Sequence, residues 1–222
     1  MSMFCFQCQE AAKNTGCTVR GVCGKQPETA GIQDLLIYSL KGLSKAALAV
    51  GDEALGEAGR MVNECLFATI TNANYDDEAL KGFIRRVLPL RDQLVARAGG
   101  ADKSDALVWN LPEEEWAAKA EQVGVLSEQN EDIRSLKELA IYGCKGIAAY
   151  ASHAAHLGYE EDGIYRTQLE VLATALEEKS TDELVALVMK TGENAVTTMA
   201  LLYKANTETY GAPEISTVNI GV

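Results

Sequence analysis

Residues 27–50 read PETAGIQDLLIYSLKGLSKAALAV, and this stretch indicates the fold class of the chain. Its apolar residues recur at intervals of three and four, which is the spacing of one face of an amphipathic α-helix. They are Ile32, Leu35, Leu36, Leu40, Leu43, Ala46 and Ala47. Similar patterns predict helices at about residues 53–70, 78–98, 113–122, 130–157, 163–178 and 181–206, and sustained strand alternation is absent. We therefore predict an all-α fold.

The predicted helix starts are supported by capping signals. Asp52, Asp77 and Thr181 each stand before an acidic first turn. Asp and Thr side chains accept hydrogen bonds from the free N–H groups of a first turn, and acidic residues there suit the positive end of the helix dipole. We predict these three residues to be N-caps.

A short pattern that occurs twice suggests the architecture. IYSLKGLSKAA at 37–47 and IYGCKGIAAYA at 141–151 share Ile-Tyr-x-x-Lys-Gly, and each is followed by another helix and then by an acidic helix start. We predict two three-helix bundles, at residues 31–98 and 128–208, joined by a connector at 99–127. Gly42 and Gly146 of this pattern either permit another helix to pack closely against their own helix, or have no packing role and are merely tolerated within it.

Composition argues against several classes of function. The chain has 222 residues and a formal net charge of -12, which disfavours a general nucleic-acid binder. No apolar run approaches the ~20 residues that a membrane helix needs, and the N-terminus lacks the pattern of a signal peptide. We expect a cytoplasmic protein without nucleic-acid or membrane partners.

Residues 1–30 have a different character because they hold four of the six cysteines. Cys5, Cys8, Cys17 and Cys23 follow the spacing CxxC, eight residues, Cys, five residues, Cys. In a reducing compartment, clustered cysteines more often bind metal or do redox chemistry than form disulfides. Turn residues at 14–16 and at 21 allow the later cysteines to fold back. We therefore predict a loop whose four thiolates bind a metal ion or cluster.

The cysteine spacing does not decide which metal ion or cluster the loop binds. Zinc and iron–sulfur clusters both accept four thiolates, but zinc sites usually have two short cysteine knuckles and this chain has one. The spacing therefore favours an iron–sulfur cluster, and [4Fe-4S] over [2Fe-2S], without deciding between them. Phe4, Phe6, Val19 and Val22 either shield the cluster from water or pack as ordinary apolar residues.

Other candidates for chemistry are weaker. His153 and His156 are three residues apart, but no facing Glu-x-x-His motif accompanies them as a di-iron bundle requires. Cys65 and Cys144 lie on apolar helix faces, where a free cysteine behaves as a small hydrophobic residue. We expect all four side chains to be structural.

Three stretches of the chain resemble the N-terminal region of the hybrid cluster protein family, also called the prismane or hydroxylamine reductase family. They are MFCFQCQEAAKNTGCTVRGVCGKQPETAGIQDLLIYSLKGLS, LFATITNANYDDE and YGAPEISTVNIGV. The resemblance covers essentially the whole chain and implies that Cys5, Cys8, Cys17 and Cys23 bind a [4Fe-4S] cluster. In some family members a longer gap before the third cysteine accompanies a [2Fe-2S] cluster. The resemblance also implies a first domain of two three-helix bundles.

The resemblance further implies that substrate is reduced elsewhere. Family members continue past the equivalent of VNIGV into two α/β domains that supply the histidine, glutamate and cysteine ligands of a hybrid iron–sulfur–oxygen cluster. We therefore expect no catalytic residues within residues 1–222. Residues 209–222 then form an extension toward an α/β domain that is absent from this chain.

The function implied by the resemblance is electron transfer. The [4Fe-4S] cluster would accept electrons from a ferredoxin-like or flavin-containing reductase and pass them to the hybrid cluster, which reduces hydroxylamine to ammonia or nitric oxide to nitrous oxide. The alternative is a structural or interaction domain whose four cysteines hold zinc or a cluster without a redox role. The sequence also permits a homodimer.

Overall fold

The computed structural model describes residues 3–70 and 74–221 of the chain. Residues 1, 2, 71–73 and 222 lie outside the described residues; they belong to the predicted cluster loop, first bundle and C-terminal extension. The α-helices of the described part are α1 (Pro27–Val50), α2 (Asp52–Ala68), α3 (Asp77–Arg97), α4 (Asp105–Val108), α5 (Trp116–Val123), α6 (Glu131–His156), α7 (Asp162–Thr174) and α8 (Thr181–Tyr210). Strand pairing in this part is limited to one isolated bridge, so the all-α fold class is confirmed.

The N-caps lie one residue before the predicted positions. The Asp76 side chain accepts a hydrogen bond from the Ala79 N–H, and Ser180 forms a capping box with Glu183 at the start of α8. Helix α2 follows Gly51, which has no capping side chain. The predictions for Asp52, Asp77 and Thr181 were wrong because these residues already form the first turn, whereas a cap must precede it in a non-helical conformation.

The long helices form two groups that share one core. Helix α1 packs against α2 and α3, while α6 packs against α7 and α8. Contacts of α1 and α2 with α7, and of α2 with α6, join the groups. One hydrophobic cluster accordingly includes buried residues from both groups, and a smaller one lies among α6, α7 and α8. The division into separate bundles at 31–98 and 128–208 stays a prediction.

The connector is packed closely against the first group. A methyl group added at Gly42 would lie 2.1 Å from the carbonyl oxygen of Ala106 in α4, so this glycine permits the approach. Arg91 of α3 is fully buried and donates hydrogen bonds to the backbone oxygens of Ala106 and Trp109. A methyl group at Gly146 would meet no atom within 4 Å, so the close-approach interpretation is confirmed for Gly42 and wrong for Gly146.

The remaining boundaries differ from prediction at a few ends. Helix α7 ends at Thr174 rather than 178, and α8 continues to Tyr210 rather than 206. Residues 211–221 are exposed and have no regular secondary structure. Within the described ranges, no helix has both the length and the apolar character needed to cross a membrane.

Candidate functional site

The cysteine loop folds back on itself at two of its cysteines. The backbones of Cys5 and Cys17 form an antiparallel bridge, and Met3, Cys17 and Ala30 make a small buried cluster between the loop and the start of α1. On the other side, the Tyr142 hydroxyl of α6 donates a hydrogen bond of 2.9 Å to the Gln7 carbonyl oxygen. The loop is therefore anchored to both α1 and α6.

The turns predicted in this loop are present. A 3-10 turn spans Ala12–Asn14, and Gly16 follows it with a φ of 137°, a conformation that favours glycine. A methyl group at Gly16 would also lie 2.5 Å from a ring carbon of Phe4. The Gly21 N–H donates to the Lys25 carbonyl oxygen at 2.9 Å, which closes the second turn beside Cys23.

Polar groups of the loop and its surroundings point at the sulfur atoms. The Ala12 N–H donates to Cys17 Sγ at 3.4 Å. The buried Lys25 ammonium lies 3.7 Å from Cys5 Sγ and donates a 2.7 Å hydrogen bond to Gln33 Oε1. Hydrogen bonds to sulfur stabilise its anionic form, so this environment suits thiolates.

Tyr75 interacts with the exposed Cys23. Burial acts to raise the pKa of the Cys23 thiol, but the hydrogen bond with Tyr75, the backbone of Lys25 and the charge of Lys25 together lower it below the ordinary value. The same hydrogen bond, followed by burial, raises the pKa of Tyr75 to about 12. The tyrosine hydroxyl therefore acts as the donor to the sulfur.

The four predicted ligands are all free cysteines at different depths. Cys17 is buried, Cys5 and Cys8 are half-buried, and Cys23 is exposed. Among residues 3–70 and 74–221, no three or more His, Cys, Asp or Glu side chains are grouped as metal ligands. The donor set itself, four thiols on one short loop with hydrogen bonds directed at sulfur, fits an iron–sulfur cluster or zinc. Ligation by these cysteines stays a prediction.

The apolar residues around the cysteines behave in two different ways. The Phe4 and Phe6 rings are half-buried, with centroids 6.0 Å apart. Val19 and Val22 are instead 82% and 61% exposed, so the interpretation that they shield the site from water is wrong for this structure. Val22 lies in the turn that the hydrogen bond from the Gly21 N–H to the Lys25 carbonyl oxygen closes, Val19 lies in the bend before that turn, and both side chains face solvent.

Ionisable side chains from α1 and α6 line a cavity of about 30 Å³ next to Cys5. Asp34 and Lys41 come from α1, and Glu138 and Lys145 occupy the equivalent positions of the second sequence copy on α6. Burial, and then the charge of Glu138, raise the pKa of Asp34 to about 7. Burial lowers the pKa of Lys145 to about 8. The repeated pattern thus extends to a shared group of acids and bases.

The sequence did not predict that Lys25, Gln33 and Tyr75 belong to the site. All three lie within stretches quoted for the family resemblance, which was the one signal available for them. Long-range contacts bring Tyr75 to the loop, and no local pattern predicts such contacts.

The side chains predicted to be structural are the other two cysteines and the two histidines. Cys65 and Cys144 are buried, and burial raises the pKa of Cys144 to about 12, which makes this thiol unreactive. His153 packs edge-on against Phe67, with ring centroids 5.7 Å apart. The His156 ring is hydrogen-bonded to the Ser152 carbonyl oxygen.

Comparison with known proteins gives a consistent match. The model of the Prismane/CO dehydrogenase family matches residues 3–222. A protein named hydroxylamine reductase from Desulfitobacterium hafniense (strain Y51) is 50% identical over 232 residues, covering 100% of this chain and 42% of the relative. Proteins of the same name from Nitratidesulfovibrio vulgaris and Methanocaldococcus jannaschii are 52% and 47% identical, each over 99% of this chain and 42% of the relative. The chain thus spans about two fifths of the length of these curated relatives.

Proposed function

Because this chain belongs to the Prismane/CO dehydrogenase family, we propose that it forms the electron-transfer part of a hydroxylamine reductase-type oxidoreductase. In this proposal the thiolates of Cys5, Cys8, Cys17 and Cys23 hold one [4Fe-4S] cluster. When bound, such a cluster accepts and releases one electron at a time. The observation that carries the proposal is the set of four free cysteines on one folded loop with hydrogen-bond donors directed at their sulfur atoms.

The surrounding residues have supporting roles. The Lys25 ammonium donates to Cys5 Sγ, the Ala12 N–H donates to Cys17 Sγ, and the Tyr75 hydroxyl donates to Cys23. Each donor stabilises negative charge on sulfur, which favours ligation and raises the reduction potential of a bound cluster. Met3 covers the inner side of Cys17 and keeps water from it.

The partners of this relay lie outside the chain. We propose a ferredoxin-like or flavin-containing reductase as the electron donor. The proposed acceptor is a hybrid iron–sulfur–oxygen cluster in a further part of a longer polypeptide, since the relatives are more than twice as long as their match to this chain. Reduction of hydroxylamine to ammonia, or of nitric oxide to nitrous oxide, would take place there.

A reductive titration tests the electron-transfer role. The chain is purified and reconstituted without oxygen, titrated with dithionite and followed by absorbance and EPR. We expect reversible uptake of one electron per chain with the signal of a reduced cluster. A colourless protein with one zinc per chain, or a cluster that is not reversibly reduced, would instead establish the structural alternative.

A further inference from the structure

The cavity of about 30 Å³ lies against a predicted cluster ligand. Besides Cys5, it is lined by ionisable residues at equivalent positions of the two sequence copies, which are Asp34, Lys41, Glu138 and Lys145. A cavity of this volume holds about two water molecules, and its charged walls offer them hydrogen-bond partners. An electron held near Cys5 and a proton held in the cavity would therefore act on each other through a partly desolvated region.

The acids and bases of this cavity share it without pairing. Within the described part of the chain, neither carboxylate forms an ion pair with a lysine of the cavity. Asp34, Lys41 and Glu138 are half-buried, and Lys145 is buried. An unpaired carboxyl in a partly desolvated site keeps its proton to higher pH than a carboxyl in a salt bridge, which agrees with the raised pKa of Asp34. Asp34 can therefore gain or lose a proton near neutral pH.

Solvent protons have a route to this cavity. Lys41 and Glu138 also line a larger cavity of about 310 Å³, whose walls include the exposed residues Gln122 and Ser127. The larger cavity therefore reaches the surface of the protein. Because the Glu138 side chain belongs to the lining of both cavities, it can pass a proton between surface water and Asp34.

Resting on the electron-transfer function proposed above, we propose that Asp34 takes up a proton from solvent when the cluster held by the cysteine loop is reduced. One electron comes from the one-electron donor and one proton from solvent, so reduction adds no net charge to the site. A cluster with four thiolate ligands is already negative before reduction, and the positive charges of Lys25 and Lys145 act on Cys5 in both states. The added electron is therefore the charge that the proton on Asp34 offsets.

The other titratable groups around Asp34 are less suited to this role. Glu121 of α5 lines a neighbouring cavity with Asp34, but it is exposed to solvent. The Tyr142 hydroxyl already carries its proton and donates it to the loop backbone. The pKa of Lys145 is about 8, and the negative charge of a cluster would raise it further, so this lysine holds its proton in both states near neutral pH. Burial lowers the pKa of Lys41, which makes Lys41 the competing acceptor.

The pH dependence of the reduction potential tests the coupling. The cluster-loaded chain is titrated by spectroelectrochemistry from pH 6 to pH 9, and proton uptake on reduction is followed with an indicator dye in weakly buffered solution. Wild type and Asp34→Asn are compared with Lys41→Met, which removes the competing acceptor, and with Glu114→Gln, which changes an exposed carboxyl. Iron, sulfide and circular dichroism are measured first, so that a lost cluster or an unfolded variant is recognised.

We expect reduction to raise the proton affinity of Asp34 about tenfold, since one unit of charge is added close to a partly desolvated carboxyl. The wild-type potential should then fall by up to about 59 mV from pH 6 to pH 9, because 59 mV corresponds to tenfold for one electron. Glu114→Gln and Lys41→Met should keep this dependence. The potential of Asp34→Asn should be nearly independent of pH, and its proton uptake should be largely lost.

A wild-type potential that does not change with pH would overturn the coupling while leaving the relay intact. A pH dependence that persists in Asp34→Asn and disappears in Lys41→Met would assign the proton to Lys41 and overturn the role of Asp34. A chain that binds no iron and sulfide would overturn both the coupling and the proposed function.

Discussion

Cys5 and Cys17 are joined through their backbones by two hydrogen bonds, 3.0 Å from the Cys5 N–H to the Cys17 carbonyl oxygen and 2.8 Å in the reverse direction. This pairing places the first and the third predicted ligands side by side. It also closes a loop that includes Cys8 and leaves Cys23 on the following turn. The fold of the loop thus fixes the backbones of Cys5 and Cys17 relative to each other.

Replacing Cys17 by serine tests its role as a ligand. Cys17→Ser should lose most of its iron and acid-labile sulfide after anaerobic reconstitution, because a hydroxyl is a poor substitute for a thiolate in an iron–sulfur site. The matched control is Cys65→Ala, a change at a buried cysteine outside the loop. Full retention of iron and absorbance in Cys17→Ser would remove Cys17 from the ligand set.

Lys25 is expected to set the reduction potential of the bound cluster. Lys25→Met removes a buried positive charge and the hydrogen bond to Cys5 Sγ, so the more negative reduced state loses more stabilisation than the oxidised state. We expect the potential to fall by up to about 65 mV, since a hydrogen bond to a charged group contributes roughly 1.5 kcal/mol and a tenfold change, about 1.4 kcal/mol, corresponds to 59 mV for one electron. Potentiometric titration measures this, with exposed Lys103→Met as control. Equal potentials in the two variants would contradict the role of Lys25.

The two glycines of the repeated pattern should respond oppositely to alanine. Gly42→Ala places a methyl group 2.1 Å from the Ala106 oxygen, so it should lower the free energy of unfolding by about 2–4 kcal/mol. Gly146→Ala meets no atom within 4 Å and should raise it by up to about 1 kcal/mol through helix propensity. Urea unfolding measures both. Similar destabilisation by the two changes would contradict the packing of α4 on α1.

Asp34 should make stability depend on pH. The pKa of Asp34 is raised to about 7 in the folded state, so the folded chain keeps a proton that the unfolded chain releases near pH 4. The free energy of unfolding therefore falls as pH rises from 4 to 7. Burial and the charge of Glu138 on α6 raise the pKa of Asp34, whereas the charges of Lys145 on α6 and Lys41 on α1 oppose this shift. Asp34→Asn does not titrate, so its free energy of unfolding relative to that of the wild type should increase by about 2–3 kcal/mol between pH 5 and pH 8.

Urea unfolding of both proteins at the two pH values measures the Asp34 effect. Exposed Glu114→Gln is the control for a carboxyl outside the cavity. A difference between Asp34→Asn and the wild type that does not change with pH would show that Asp34 titrates normally.

The sequence predicted the helices and their order because their apolar spacing is a local signal. It did not predict the buried positions of Lys25 and Arg91, because the partners of each charge lie in other elements of the fold. They are Gln33 and Cys5 for Lys25, and the carbonyl oxygens of Trp109 and Ala106 for Arg91. Local spacing contains no information on such contacts.

The sequence likewise predicted the local features of the site and not its long-range contacts. The cysteine spacing and the turn residues are local features, and the turns are confirmed in the structure. The exposure of Val19 and Val22 depends on how the bend at residues 18–20 and the second turn pack on the rest of the chain, and apolar character alone does not predict this packing. Tyr75 and Cys23 are far apart in the sequence, and the residues of the loop do not predict the hydrogen bond between them.

The content of iron and acid-labile sulfide per chain shows whether the loop holds a [4Fe-4S] cluster. The chain is purified without oxygen, and zinc is measured in the same sample. We expect about four irons and four sulfides per chain, as in a cubane cluster, and little zinc. One zinc per chain without sulfide would contradict it and would make the cysteine loop a structural metal site.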